Sequence, residues 1–204
     1  MADNGLPDPY SDAEDQAILP WRGRITTAKA PDQGGTTDRT AQAASEVAAF
    51  FGTASASDFT VTPVVINEIS EIPENGALEL LSYGGPIKQS PVVYTGPDEW
   101  GFRRFILHQA ALCAAAGGVE SFCIGSEMRG LTQIRGATNS FPAVDQLVAL
   151  AAEVRALLGP DVKLSYAADW SEYFGYQPND GTGNRYFHLD PLWADPNIDF
   201  IGID

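Results

Sequence analysis

Hydrophobic positions along the chain fall into two regimes. Residues 1 to 38 carry no period and are rich in Pro, Gly and Asp; they read as a long loop with one anchor at Leu19, Pro20 and Trp21. A first helix follows from about Arg39 to Phe51. Ala44, Val47, Ala48 and Phe51 share a face, Thr37 or Asp38 stands at the cap, and Gly52 ends it. Residues 60 to 94 are β-like and turn-rich. Val61 to Ile66 and Ala77 to Leu81 read as strands across the turn Pro73, Glu74, Asn75, Gly76, and Gly84, Gly85 and Pro86 make a further turn.

From Gly96 the pattern is regular. Pro97 opens a helix, with Asp98 and Glu99 set to complement its dipole. Phe102, Phe105, Ile106, Ala110 and Cys113 form its apolar stripe, and Gly117 and Gly118 stop it. The chain then alternates. Val119 to Ile124 is a strand, and Phe141 to Leu158 a helix with Val144, Leu147, Val148, Ala151 and Leu158 on one face. Gly159 and Pro160 stop that helix, Val162 to Ala168 is a strand, and a long loop runs from Asp169 to Asn197 before the last strand, Ile198 to Ile203. Helix–strand alternation with strands apolar on both faces predicts an α/β fold with a parallel sheet, its three good strands adjacent in chain order. An eight-stranded barrel needs ~250 residues, so the expectation for residues 1–204 is a partial TIM-type barrel, opened by the loop 1–38 and leaving apolar surface at Ile198, Phe200 and Ile203 poorly protected.

Composition narrows the function classes. The 27 acidic residues against 12 Lys plus Arg give a net charge of -15, which argues against a nucleic-acid partner and against docking on an anionic membrane. No apolar run reaches the length of a membrane span. Cys113 and Cys123 read as two buried thiols rather than a disulfide framework. No CxxC or HExxH spacing is present, so neither a metal nor a cofactor is indicated.

Candidate chemistry sits where strands end. The three strands run into Glu127, Asp169 and Asp204. Parallel strands place such residues along one rim, ~4.8 Å apart from strand to strand, and that rim carries the active sites of α/β barrels. Paired carboxylates there suit glycosidic bond cleavage. Acids after strands are also ordinary in an acidic chain. The loop after Asp169 adds Trp170, Tyr173, Phe174, Tyr176, Tyr186, Phe187, His188 and Trp193. Trp170, Tyr173, His188 and Trp193 are the candidate sugar-binding residues, though such a loop also needs aromatic anchors to stay ordered. Arg103 and Arg104 read as a solvated helix face. Arg129 is placed to orient Glu127 or to depress its pKa, and an acid catalyst needs the opposite shift, so it counts against that role.

The strings LPDPYSDAEDQ, LPWRGRIT, YTGPDEWGFRRFILHQAALCAAAGG, FCIGSEMRGLTQIRG, LSYAADWSEYFG and FHLDPLWADPNIDFIGID resemble the barrel-like domain of the large tail protein of gene transfer agents and related phages, which is similar to glycoside hydrolase TIM barrels. The resemblance covers residues 4 to 60 and 93 to 204; residues 61–92 look like an insertion. It implies that Val119–Ile124 is the fourth barrel strand and Glu127 the acid/base, with Ser126 where many relatives have Asn, a departure that bears on the substrate 2-hydroxyl contact. The nucleophile of such enzymes follows the seventh strand and is expected to lie outside this sequence, as are the first strands. Asp169 is then the nearest substitute, and Asp204, two strands away, suits an inverting spacing of ~6.5 to 9.5 Å. The resemblance further implies a place in the particle tail, other tail proteins as partners, and a cell-envelope carbohydrate as substrate. The chain alone is expected to hydrolyse glycosides inefficiently. The alternative is a non-catalytic structural or receptor-binding module of the tail.

Overall fold

The computed structural model describes residues 7–13, 21–64 and 90–204. The expected strand Ala77 to Leu81, both turns between residues 73 and 86, and the anchors Leu19 and Pro20 lie outside the described residues.

A 3₁₀ turn, Arg22–Arg24, precedes helix α1, Ala41–Phe51. Strands β1, Phe59–Val61, and β2, Val92–Tyr94, pair antiparallel. Helix α2, Phe102–Ala115, leads to β3, Ser121–Ser126; the short α3, Arg129–Thr132, and the long α4, Pro142–Leu158, lead to β4, Lys163–Ala168. Two single-turn helices, α5 (Trp170–Tyr173) and α6 (Asp190–Trp193), lie within the expected long loop, and β5, Gly202–Ile203, closes the order. Strands β3, β4 and β5 form one parallel sheet in that sequence, as the alternation requires. Among the described residues the sheet does not close into a barrel.

Register fixes the two faces. Phe122 pairs with Leu164 and Cys123 with Ser165. Phe122, Ile124, Leu164, Tyr166 and Ala168 therefore share one face, and they pack with α2 and α4 in a single core whose centre includes Leu107, Leu147, Leu150 and Val154, all 0% exposed. Each such side chain contributes ~1.5–3 kcal/mol by leaving water. The opposite face carries Cys123 and Ser165. Cys123 is exposed and Cys113 half-buried, both free thiols, so the expectation of two buried thiols fails for the outer strand.

Three local expectations are corrected. Helix α2 begins at Phe102 with Gly101 as N-cap, not at Pro97. Glu99 instead turns back to accept the amides of Thr53 and of Ala54, the latter at 3.0 Å, beyond the end of α1. The helix is consequently rotated from the expected stripe: Phe105 is 55% exposed while Arg103 is buried, donating to the Ala54 carbonyl at 2.9 Å and pairing with Glu153 at 3.4 Å. Arg104 lies over the rings of Tyr94 and Trp100 at 4.0 and 3.9 Å. In α1 the buried set is Ala43, Val47 and Phe51, with Ala44 and Ala48 outside it, and Asp38 is not a cap but the partner of a buried arginine. Phe200 and Ile201, which precede β5, and Ile203 within it are exposed, while Ile198 packs against the core.

Candidate functional site

The carboxyl ends of β3 and β4 are shaped by a departure from regular pairing. Cys123 opposes Ser165, yet Ser126 opposes Ala167, so β3 carries one extra residue just before Glu127. Such a bulge re-aims the following side chain. Glu127 itself has φ +49°, a left-handed conformation that costs a non-glycine residue on the order of 1–2 kcal/mol. The turn is held from β4: the Glu127 amide donates to the Ala167 carbonyl at 2.8 Å and the Met128 amide to the Tyr166 hydroxyl at 2.7 Å.

Tyr166 hands that contact on to Glu172, whose carboxylate oxygens lie 3.2 and 3.3 Å from the hydroxyl. Glu172 is 1% exposed and also accepts from Thr132 Oγ1 at 2.5 Å and from the Asp169 amide at 2.9 Å. Burial pushes its carboxyl above the usual range, opposed by those hydrogen bonds. Burial, with the neighbouring Glu172 charge, pushes the Tyr166 phenol well above 10.0. One buried carboxylate thus ties the turn after β3 to the turn after β4. Asp169 takes the other half of this arrangement: its side chain caps α5, accepting from the Ser171 amide at 2.8 Å and from the Ser171 hydroxyl. Its carboxylate is buried.

Glu127 and Asp204 converge instead on Arg22. One guanidinium nitrogen, Nη2, stands 2.5 Å from Glu127 Oε2 and 3.6 Å from Asp204 Oδ2. Together those distances limit the separation of the two oxygens to less than the ~6.5 Å at which the inverting range begins. The indole N–H of Trp21 donates to the same Glu127 oxygen at 3.2 Å. Arg129, expected to orient Glu127, makes no ion pair among the described residues; that role falls to Arg22, carried in by the Trp21–Ile25 segment. The segment reaches the rim because residue 130 is glycine: a Cβ there would stand 2.8 Å from the carbonyls of Gly23 and Ile25. Among the described residues, no group of three His, Cys, Asp or Glu side chains is disposed to hold a metal ion.

The aromatic loop divides. Trp170 and Tyr173 are exposed, at 63% and 48%. Tyr173, Phe174, Phe187, Trp193 and Ile201 line a cleft of about 610 Å³ that also holds Arg185 and Asp190. None of Glu127, Asp169 and Asp204 lines it, and Trp193 packs on Tyr166 with ring centroids 6.1 Å apart. His188 is buried between Phe141 and Tyr176. Among the described residues its two ring nitrogens make no hydrogen bond of good geometry, and burial pulls its pKa down to about 4, opposed by the Tyr186 backbone.

Residues 100–204 match the GTA (gene transfer agent) TIM-barrel-like domain. The chain belongs to that family. The parallel sheet β3–β5, its helices α2 and α4, and the rim with Glu127, Asp169 and Asp204 all fall within the matched part of this GTA domain, whereas Arg22 precedes it. No curated protein matches the chain. Reading the sequence alone missed Arg22, Tyr166 and Glu172. A D-x-x-E spacing from Asp169 to Glu172 is the signature of a capping box and was the available signal for Glu172.

Proposed function

We propose that this GTA domain acts on a cell-envelope glycan as part of the tail of a gene transfer agent particle, with Glu127 and Asp204 as its carboxyl pair. The observation that carries the reading is the convergence of both carboxylates on one guanidinium nitrogen. It brings acids that follow two non-adjacent strands to a spacing below the ~6.5 Å at which the inverting range begins. Glu127, on the bulged strand, is the acid/base; Asp204 faces it across Arg22. Asp169 supports the site by capping α5. Trp170 and Tyr173 offer exposed ring faces for stacking on sugar, Trp193 contributes through the aromatic cleft, and His188 supports that loop from inside. Neighbouring tail proteins are the proposed assembly partners.

A second reading has its own observation. Arg22 occupies the space between the carboxylates, which favours a recognition module without chemistry. Hydrolysis of peptidoglycan and of activated aryl glycosides by the native chain and by Glu127→Gln separates the two. Slow turnover that disappears in the variant supports the glycosidase reading. Equal, background rates in both leave the recognition module as the function.

A further inference from the structure

A second cleft, of about 400 Å³, is lined by Trp21, whose indole N–H binds Glu127. Its walls include Trp21 and Arg24 from the first turn, the carboxylate-bearing Asp32, Arg129 and Gln133 around α3, and Tyr176 and Asn179 from the loop after α5. The chain carries a net charge of -15, yet two guanidinium groups line this cavity against the one carboxylate of Asp32. Arg24 is already committed, at 3.0 Å from Asp8 and over the Tyr10 ring at 4.2 Å. Arg129 has no carboxylate partner among the described residues. Beside it the side-chain amides of Gln133 and Asn179 supply donors and acceptors of the kind that read sugar hydroxyls. Trp21 gives an apolar face, 39% exposed, in the same residue whose N–H binds Glu127. The Tyr176 hydroxyl, in a residue 8% exposed, has no hydrogen-bond partner among the described residues.

We propose that this cleft is a subsite for an acidic sugar, a pyranose ring bearing a carboxylate, with Arg129 binding the carboxylate, Trp21 stacking on the ring and Gln133 and Asn179 taking hydroxyls. The proposal rests on the glycan reading and names its substrate class. Arg–carboxylate pairing is planar and directional, so the cleft selects charge and position together. Trp21 then touches the bound ring on one side and Glu127 on the other, which places the acidic unit next to the carboxyl pair.

The test is calorimetric titration of the full chain with short oligogalacturonides and with N-acetylmuramic acid, each beside its own methyl ester, which keeps the ring and removes the charge. At least one free acid is expected to bind ten-fold or more tightly than its ester. Arg129→Gln is expected to remove that preference while leaving the weak binding of the ester in place. Glu127→Gln is expected to retain it, so a failure of hydrolysis does not bear on this result. Equal binding of acid and ester, no binding of either acid, or a preference untouched by Arg129→Gln overturns the proposal. Acetate competing as well as the sugar acid at equal concentration also overturns it, because the cleft would then read charge without the ring.

Discussion

Asp38 and Arg135, 97 residues apart in sequence, meet in a buried ion pair at 2.6 Å, with side chains 4% and 2% exposed. The Asp38 carboxylate also accepts the Arg135 amide at 2.7 Å, and Asp180 takes the other side of the guanidinium at 2.8 Å. Three distant segments are thereby fastened at one point: the approach to α1, the end of the α3 region and the loop after α5. Breaking a buried pair leaves an uncompensated charge. Asp38→Ala is therefore expected to lower unfolding free energy by ~3–5 kcal/mol in denaturant titration. Asp180→Ala, at the more exposed partner, is expected to cost less. Equal and small losses for both would show that the pair is not the fastening.

His188 gives the fold a defined acid sensitivity. The folded chain holds this imidazole neutral down to about pH 4, against 6.5 for the ordinary group. The unfolded state binds more protons between those values, so the contribution is fully present above pH 6.5 and is lost as pH falls toward 4. The full difference is roughly 3 kcal/mol. His188→Phe removes the buried titratable ring from between Phe141 and Tyr176 and is expected to flatten stability against pH across this window. A variant whose pH profile overlays the native one would place the acid sensitivity elsewhere.

The strands were legible because punctuation and burial agree. Gly159 with φ +84° and Pro160 end α4, and β4 begins at Lys163, one residue from its expected start. Strand β3 starts two residues late because Gly117 and Gly118, both at φ +99°, are followed by two linker residues before pairing begins. Strand β5 shortens to two residues, pairing only with Ala167 and Ala168 at the sheet edge. The start of α2 was misread for a physical reason: Pro97 suits a first helical turn, but Glu99 has a better use, satisfying amides left open after α1. Of the candidate site, sequence spacing singles out the rim carboxylates Glu127, Asp169 and Asp204. Arg22 and Tyr166 act through contacts that sequence spacing does not encode, 105 residues apart in the case of Arg22 and Glu127, whereas the D-x-x-E spacing marks Glu172.

Gly130 decides whether Arg22 reaches the rim. Gly130→Ala places a methyl 2.8 Å from two backbone carbonyls, which cannot give way as a flexible side chain would. The Trp21–Ile25 segment is expected to shift off α3, at a cost of ~1–3 kcal/mol. Tryptic cleavage after Arg22 and Arg24 should accelerate several-fold in the variant. Unchanged cleavage together with unchanged stability would show that the segment is held by something other than this close approach.

The most direct test of the Glu127–Asp204 pair compares three single variants, Glu127→Gln, Asp204→Asn and Asp169→Asn, in turnover of activated aryl glycosides and peptidoglycan. Each keeps its shape and loses its charge. Glu127→Gln and Asp204→Asn are expected to fall at least 100-fold, to background, with native melting temperatures. Asp169→Asn, in which the amide oxygen can still cap α5, is expected to keep turnover within a few-fold of native. Turnover that survives in Asp204→Asn but vanishes in Asp169→Asn would contradict the account, because the working carboxylate beside Glu127 would then stand on the adjacent strand.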